Sequence, residues 1–67
     1  MNRAEIELAI SEVIDVDIRN TLGKHFLEGM QAKEIAIEMR YSPRHIERWI
    51  EVGVAEIKDN FNSKPKK

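Results

Sequence analysis

The apolar side chains of the chain recur mostly at intervals of three and four residues, which is the spacing of one face of a helix. The first stripe of this kind consists of Ile6, Ile10, Val13 and Ile14. Asn2 precedes it as a suitable N-cap, and acidic residues follow in the first turns, where the helix dipole favours them. The pattern therefore predicts a first helix that stops at Val16.

A second apolar stripe occupies the middle of the chain. It consists of Ile18, Leu22 and Phe26. Asp17 is the predicted N-cap of this helix, and Gly29 is a natural C′ residue at its end. Gly23 lies inside the helix and costs up to about 1 kcal/mol relative to alanine.

Two further helices are predicted after Gly29, with only a short break between them. The stretch QAKEIAIEM places Ile35, Ala36 and Met39 on one face and ends near Arg40. Ser42 is an N-cap residue type and Pro43 suits the first helical position, so a fourth helix is predicted from Pro43 to about Asn60. Its apolar face consists of Ile46, Trp49, Ile50, Val54, Ile57 and Phe61.

No segment alternates with period two, so the predicted fold class is all-α with four helices. A short helix, a tight break and a longer helix are typical of a helix-turn-helix. Ala36 provides a small residue where these two helices approach, and Ile46 lies where the second helix folds back on the first. We expect one helix-turn-helix domain over residues 1–60 and a flexible basic tail over residues 61–67.

The stretch LEGMQAKEIAIEMRYSPRHIERWIEVGVAEI resembles the helix-turn-helix of sigma-factor region 4 and of LuxR-type response regulators. The matching positions are Glu28 and Gly29, then Glu34, Ile35 and Ala36, then Ser42, Arg44 and Ile46. The chain is most similar to small phage transcription regulators of the RinA and ArpU kind, with their YSxRTxxRW pattern. The resemblance covers about residues 18–60. It implies a trihelical core, an added N-terminal helix, and a fourth helix placed in the major groove of DNA.

The chain departs from this pattern in two ways. The usual turn glycine is replaced by Arg40, at a position that often requires a positive φ, so the residue is strained or the turn takes another conformation. LuxR-type domains carry a further helix after the recognition helix, whereas this chain has one before it. Sigma-factor region 4 is therefore the nearer comparison.

The outward positions of the fourth helix carry the candidate base-reading residues. Arg44 or Arg48 is suited to a bidentate contact with guanine, and Glu47 to accepting from a cytosine amino group. The full candidate set for DNA is Lys33, Arg40, Ser42, Pro43, Arg44, His45, Glu47 and Arg48. The competing interpretation is an ordinary solvated helix face with Arg44–Glu47 and Arg48–Glu51 pairs. His45 is expected to be a half-buried helix residue or a phosphate neighbour, and Trp49 belongs to the core in either case.

The charge balance favours a DNA-binding function less than the motif does. Eleven lysines and arginines face twelve acidic residues, giving a net charge of −1, whereas DNA-binding modules usually show a basic footprint. The beginning of the chain is acidic, and its end, with Lys64, Lys66 and Lys67, is basic. Phosphate contacts are expected from Lys33 and Arg40, helped by Lys24, Lys58 and the tail.

An interaction with another protein is the alternative function. Leu8, Val16 and Val52 fall outside the main stripes, and surplus apolar residues often mark an interface. The expected partners are double-stranded DNA and, for the apolar residues, RNA polymerase, a bacterial regulator or a second copy of the chain. A homodimer would match a two-fold DNA site.

Other function classes find little support in the sequence. There is no Gly-rich phosphate loop and no Ser-His-Asp or Cys-His arrangement, so we predict no enzymatic activity. His25 and His45 without any cysteine do not make a metal site, and no cofactor is expected. The acidic residues within the first stripe exclude a signal peptide, and no apolar run approaches the ~18 residues of a membrane span. The expected location is the cytoplasm.

Overall fold

A computed structural model of the protein describes the backbone of residues 2–62 and the side chains of residues 2–60. Within this part of the chain there are four α-helices and no strand. They are α1 (Arg3–Ser11), α2 (Val16–Leu22), α3 (Ala32–Met39) and α4 (Pro43–Asn62). The predicted all-α fold class is confirmed. None of these described helices is long and apolar enough to cross a membrane.

The end of α4 lies two residues beyond the position expected from the sequence. The side chain of Phe61, which was assigned to the apolar face of this helix, lies outside the described residues. So does the segment 63–67, which makes up most of the tail that we expected to be flexible.

The start of α1 follows the prediction, but its end does not. The Asn2 side chain accepts a hydrogen bond from the Glu5 N–H at 2.9 Å, and the Glu5 carboxylate accepts one from the Asn2 N–H at 3.3 Å. This is a capping box. The helix ends at Ser11. Beyond it the backbone forms a tighter turn, in which the Val13 N–H donates to the carbonyl of Ile10, three residues back, at 3.0 Å.

Two residues that we assigned to the stripe of α1 therefore lie beyond the helix. Val13 is completely buried, but Ile14 is 85% exposed, so its assignment to the apolar face was wrong. A helical stripe continues to face the core only as long as the backbone stays helical, and here the chain leaves the helix before both residues.

The N-cap of α2 is Asp15 and not Asp17, as the sequence suggested. The Asp15 carboxylate accepts hydrogen bonds from the N–H groups of Asp17 at 2.9 Å and Ile18 at 3.2 Å. Arg19 donates from its guanidinium group to the Val13 carbonyl at 3.0 Å. This bond fixes the linker between α1 and α2.

A π-helical turn, Gly23–Leu27, continues α2 without a break. The Glu28 N–H bonds to the carbonyl of Gly23, five residues back, at 3.2 Å. Because a π-helical turn is wider than an α-helical one, the next residue after Leu22 on the inner face is Leu27, five residues further on, and not Phe26, four residues further on. Leu27 therefore packs against the core and Phe26 is 46% exposed, so the prediction of Phe26 as a core residue was wrong. The segment ends at Gly29 with φ 74°, as a C′ glycine should.

Side chains of the π-helical turn fix the position of α3. The His25 Nδ1–H donates to the Met30 carbonyl at 2.9 Å, and the Lys24 ammonium lies 2.6 Å from a carboxylate oxygen of Glu38. The hydrogen bond from Lys24 to the Glu38 carboxylate raises the pKa of Lys24, and the loss of some solvent around the ammonium group opposes this shift. Because the pKa of Lys24 is raised in the folded chain, the pair contributes its full stability at a pH below the ordinary lysine pKa. This contribution is lost as the pH rises through the raised pKa. The contribution of the pair is up to about 1 kcal/mol, because water screens both groups.

The core consists of two clusters that α4 joins. The first contains Ile10, Val13, Ile18 and Leu22, and the second contains Ile35, Ala36 and Ile46. Trp49 and Ile50 are partly buried and pack against both clusters. The predicted roles of Ala36 and Ile46 in the α3–α4 contact are confirmed, because both are almost inaccessible to solvent.

Gly53 marks the place where α4 lies closest to α2. A Cβ atom built on this residue would lie 2.6 Å from Cδ1 of Leu22 and 3.0 Å from Cγ2 of Ile18. Real Cβ atoms essentially never lie so near to another side chain. The absence of a side chain at Gly53 therefore allows the two helices to pack at this separation.

Candidate nucleic-acid interface

The turn between α3 and α4 consists of Arg40, Tyr41 and Ser42. Arg40 has the left-handed conformation, with φ 66° and ψ 43°, and it is the only non-glycine residue of the described chain with a positive φ. The Tyr41 N–H donates to the Ala36 carbonyl at 2.9 Å, which is the six-to-one bond of a Schellman ending. The turn thus keeps the geometry that a glycine usually provides, and Arg40 accepts the strain.

Ser42 and Pro43 begin α4 as the sequence predicted. The Ser42 hydroxyl accepts from the His45 N–H at 3.2 Å, and its carbonyl accepts from the Ile46 N–H at 3.1 Å. Pro43 occupies the first helical position, where its missing N–H costs nothing. Because Ile46 is completely buried, the first turns of α4 are held against α3 with a defined rotation.

This rotation places the charged residues of α4 outward. Arg44, Glu47 and Arg48 are all exposed, and together with Glu51 they surround one shallow pocket on the outer side of the helix. Of the other predicted DNA contacts, Lys33 is exposed on α3, and Arg40, Ser42 and Pro43 are exposed at the turn.

The two arginines of α4 have no carboxylate partner in the described part of the chain. There, the ion pairs join Arg3 to Glu7 and Lys24 to Glu38. The Arg44–Glu47 and Arg48–Glu51 pairs, which helical spacing permits, are not formed. Both guanidinium groups therefore keep their five donors available for another molecule.

The segment 32–52 carries four basic and four acidic residues. The basic residues are Lys33, Arg40, Arg44 and Arg48, and the acidic residues are Glu34, Glu38, Glu47 and Glu51. Two of the carboxylates already have partners: Glu34 accepts from the Gln31 N–H at 2.8 Å, and Glu38 binds Lys24. Lys24 therefore offsets the charge of Glu38, whereas Glu34, whose partner is a neutral N–H group, keeps its negative charge.

Three rings meet on one side of α4. Tyr41 and His45 are stacked, with centroids 4.8 Å apart and an angle of 9° between the ring planes. Trp49 contacts both edge-on, at 4.9 Å from Tyr41 and 4.4 Å from His45. We call these three residues the aromatic cluster. His45 is exposed and not half-buried as one of our interpretations held, whereas Trp49 packs into the core as predicted.

Tyr41 is the residue of this surface that sequence reasoning missed. It is 42% exposed and contacts two other aromatic side chains. The signal was present, because Tyr41, His45 and Trp49 are spaced at i, i+4 and i+8, the interval that brings side chains of a helix together. Ser42, which lies between Tyr41 and the helix, and Pro43, which begins the helix, were interpreted only as a helix start.

The three residues proposed for a protein interface lie on three different helices. Leu8 is 65% exposed on α1, Val16 is 55% exposed on α2, and Val52 is 44% exposed on α4. A separate apolar groove runs between α1 and the second half of α4. It is lined by Ile6, Ala9, Ile10, Phe26, Val54, Ile57 and Lys58.

Residues 2–60 contain no group of three or more His, Asp or Glu side chains placed to hold a metal ion.

Comparison with protein-family models found no matching family, and comparisons with curated proteins and with solved structures found no match to the chain.

Replacing Arg40 by glycine is expected to stabilise the fold by up to about 1 kcal/mol. Glycine avoids the Cβ strain of the left-handed region, about 1–2 kcal/mol, but gains freedom in the unfolded chain. Arg40→Asn should be close to neutral, since asparagine tolerates this region, and Arg40→Val should be destabilising. Urea unfolding followed by the fluorescence of Trp49 measures these differences. A glycine variant less stable than the valine variant would contradict the left-handed turn.

Proposed function

We propose that the chain is a sequence-specific DNA-binding transcription regulator of the helix-turn-helix class. In this proposal α3, the three-residue turn and α4 form the helix-turn-helix, α2 completes a trihelical core, and α1 is the added helix. The first turns of α4 enter the major groove, as recognition helices do. The resemblance of these residues to sigma-factor region 4 and to the RinA and ArpU kind of regulator suggests a phage protein that acts in the cytoplasm.

The observation that carries the proposal is the pair of uncovered guanidinium groups at the start of an anchored helix. Arg44 and Arg48 lie one turn apart, are exposed, and have no carboxylate partner within the described residues. Arginine binds the O6 and N7 atoms of guanine through two hydrogen bonds, provided that its helix is held in a fixed orientation. Ile46, buried between α3 and α4, provides that orientation.

The remaining candidate residues have supporting roles in this proposal. Glu47 lies between the arginines, where its carboxylate can accept from a cytosine amino group and reject other bases. Lys33 and Arg40 contact phosphates on either side of the groove, and Ser42 and Pro43 bring the backbone of the first turn close to the duplex. Such a small surface gives modest affinity, so we propose that two copies bind a two-fold site.

Titration of the protein against a pool of random duplexes at two salt concentrations tests the proposal. With two to four phosphate contacts per chain, the slope of log affinity against log salt should be about −2 to −4 per chain. Affinity should then fall roughly 15- to 250-fold between about 50 and 200 mM salt. Recovery of a preferred sequence from the pool would establish specific recognition. Binding that is absent at the lower salt concentration would refute the proposal.

A second candidate function is a protein-binding module that docks on RNA polymerase or on a bacterial regulator. The apolar groove between α1 and α4 and the exposure of Leu8, Val16 and Val52 favour it. The two candidates differ in which substitutions matter. If Leu8→Asp or Val52→Asp destroys function while the variants Arg44→Ala and Arg48→Ala retain it, the partner is a protein.

A further inference from the structure

We infer that Tyr41 contributes to the DNA sequence preference of the chain by holding the imidazole of His45 in a base-reading position. This inference rests on the proposed function, because it concerns the same helix in the same groove. It assigns a role to Tyr41, which is not one of the predicted DNA contacts. In this role Tyr41 acts through His45 and is a positioning residue.

The geometry of the aromatic cluster restricts the His45 ring on two sides. Tyr41 covers one face of the imidazole in a nearly parallel stack, at 4.8 Å and 9°. Trp49 contacts it edge-on at 4.4 Å and 68°. An exposed histidine on a helix ordinarily samples several side-chain rotamers, and holding it in one of them costs entropy. Stacking with an aromatic neighbour compensates that loss in the free protein.

The two supporting rings are themselves fixed by the fold. Trp49 packs against both core clusters. The backbone of Tyr41 is held by its hydrogen bond to the Ala36 carbonyl, directly after the left-handed Arg40. The backbone of the turn therefore directs the side chain of Tyr41 toward the first turn of α4.

The position of His45 makes this restriction relevant to recognition. It lies directly after Arg44 and three residues before Arg48, and it is exposed like both. The backbone N–H of His45 is occupied by the Ser42 hydroxyl, so only its side chain is available to a ligand. A neutral imidazole presents one donor and one acceptor, and a pre-positioned ring can use either at a base edge without a further ordering cost.

The test compares two substitutions at Tyr41 in the full-length chain. Tyr41→Phe keeps the stack and removes only the hydroxyl, whereas Tyr41→Leu keeps an apolar side chain of the turn and removes the ring. Base preference is measured by substituting each pair of the duplex selected by the wild type. We expect Tyr41→Leu and His45→Ala to lose discrimination, about five- to tenfold, at the same base pair. Tyr41→Phe should retain it.

The double variant Tyr41→Leu, His45→Ala separates a positioning role from an independent one. If Tyr41 acts through His45, the double variant loses no more discrimination than His45→Ala alone. Additive losses, losses at two different base pairs, or full discrimination in Tyr41→Leu would each overturn the inference. In all of these cases the wild type still binds its duplex, so the proposed function would stand.

Two controls distinguish these outcomes from unfolding and from loss of DNA binding in general. The salt dependence of binding should be nearly the same for the wild type and Tyr41→Leu, because no charge changes. Thermal unfolding should show that Tyr41→Leu, although less stable without its aromatic contacts, is folded at the temperature of the binding assay. The ring protons of His45 should report the stack directly by NMR without DNA, since the ring current of a stacked Tyr41 is expected to shift them upfield. Tyr41→Leu should remove most of that shift and Tyr41→Phe should keep it; an unchanged shift in Tyr41→Leu would also overturn the inference.

Discussion

Replacing Arg44 and Arg48 together by alanine is expected to remove most of the preference for one duplex sequence that we propose for the chain. Each bidentate contact between arginine and guanine contributes about 1–3 kcal/mol of discrimination. Loss of both should lower the ratio of specific to non-specific affinity on the order of 10²-fold or more. Competition between the selected duplex and a scrambled one, at a fixed salt concentration, measures this ratio.

The matched control for this experiment is the pair of substitutions Arg44→Lys and Arg48→Lys. Lysine keeps the charge but lacks the planar fork that binds two acceptors of one base. The lysine variant should therefore lose most of the discrimination and retain the salt dependence of the wild type. Arg3→Ala, which removes a charge from α1, should change neither. Equal discrimination by the wild type and the double alanine variant would contradict the proposed reading role of both arginines.

Replacing Gly53 by alanine is expected to destabilise the fold, by about 1–3 kcal/mol, although alanine favours a helix. The new methyl group would lie 2.6 Å from Cδ1 of Leu22, which is completely buried. Either α4 moves away from α2 or Leu22 leaves its preferred rotamer, and both disturb the first core cluster. A domain of this length has a total stability of only several kcal/mol, so the change should be easy to measure by urea unfolding.

Gly23→Ala is the control that makes this prediction specific. No atom lies within 4 Å of the position of a Cβ on Gly23, and the backbone there is helical, with φ −62°. Alanine should therefore stabilise the chain at this position, by up to about 1 kcal/mol. The same substitution at two glycines should thus have opposite signs. A Gly53→Ala variant as stable as the wild type would mean that α2 and α4 are not packed this closely.

The second half of the fold was more predictable than the first because its signals were unambiguous. Ser42 and Pro43 can begin a helix but cannot continue one comfortably, and Gly29 ends the preceding segment. Between α1 and α2 the chain offers two acceptable caps, Asp15 and Asp17, and the pattern alone does not choose between them. The choice is made by Val13, whose complete burial fixes where the linker passes.

The π-helical turn shows a different limit of periodicity. A stripe at i, i+4 and i+8 assumes a constant number of residues per turn. One extra residue in a turn therefore places the following residue of the chain, instead of the expected one, on the face toward the core. Phe26 and Leu27 are both apolar, so either can face the core, and the register depends on packing against α1. Gly53 was missed for a related reason, because a residue without a side chain leaves no mark in an apolar pattern.

Part of the candidate site was visible in the sequence and part was not. The outward position of Arg44 and Arg48 follows from Ile46 and Trp49 alone, since helical geometry fixes the angle between them. The stack of Tyr41 on His45 depends on the left-handed conformation of Arg40. The sequence places Arg40 where related turns have a glycine, but it does not tell whether the residue adopts the left-handed conformation or the turn changes instead.

The equal numbers of basic and acidic residues in the segment 32–52 would have a consequence for how such a protein searches a genome. The near-neutral balance of the segment 32–52 leaves few cations to hold arbitrary stretches of the duplex, so residence on unrelated sequence should be brief. A smaller fraction of such a regulator would be bound to unrelated chromosomal DNA. More of the protein would then be free to bind the rare sites whose sequence it recognises.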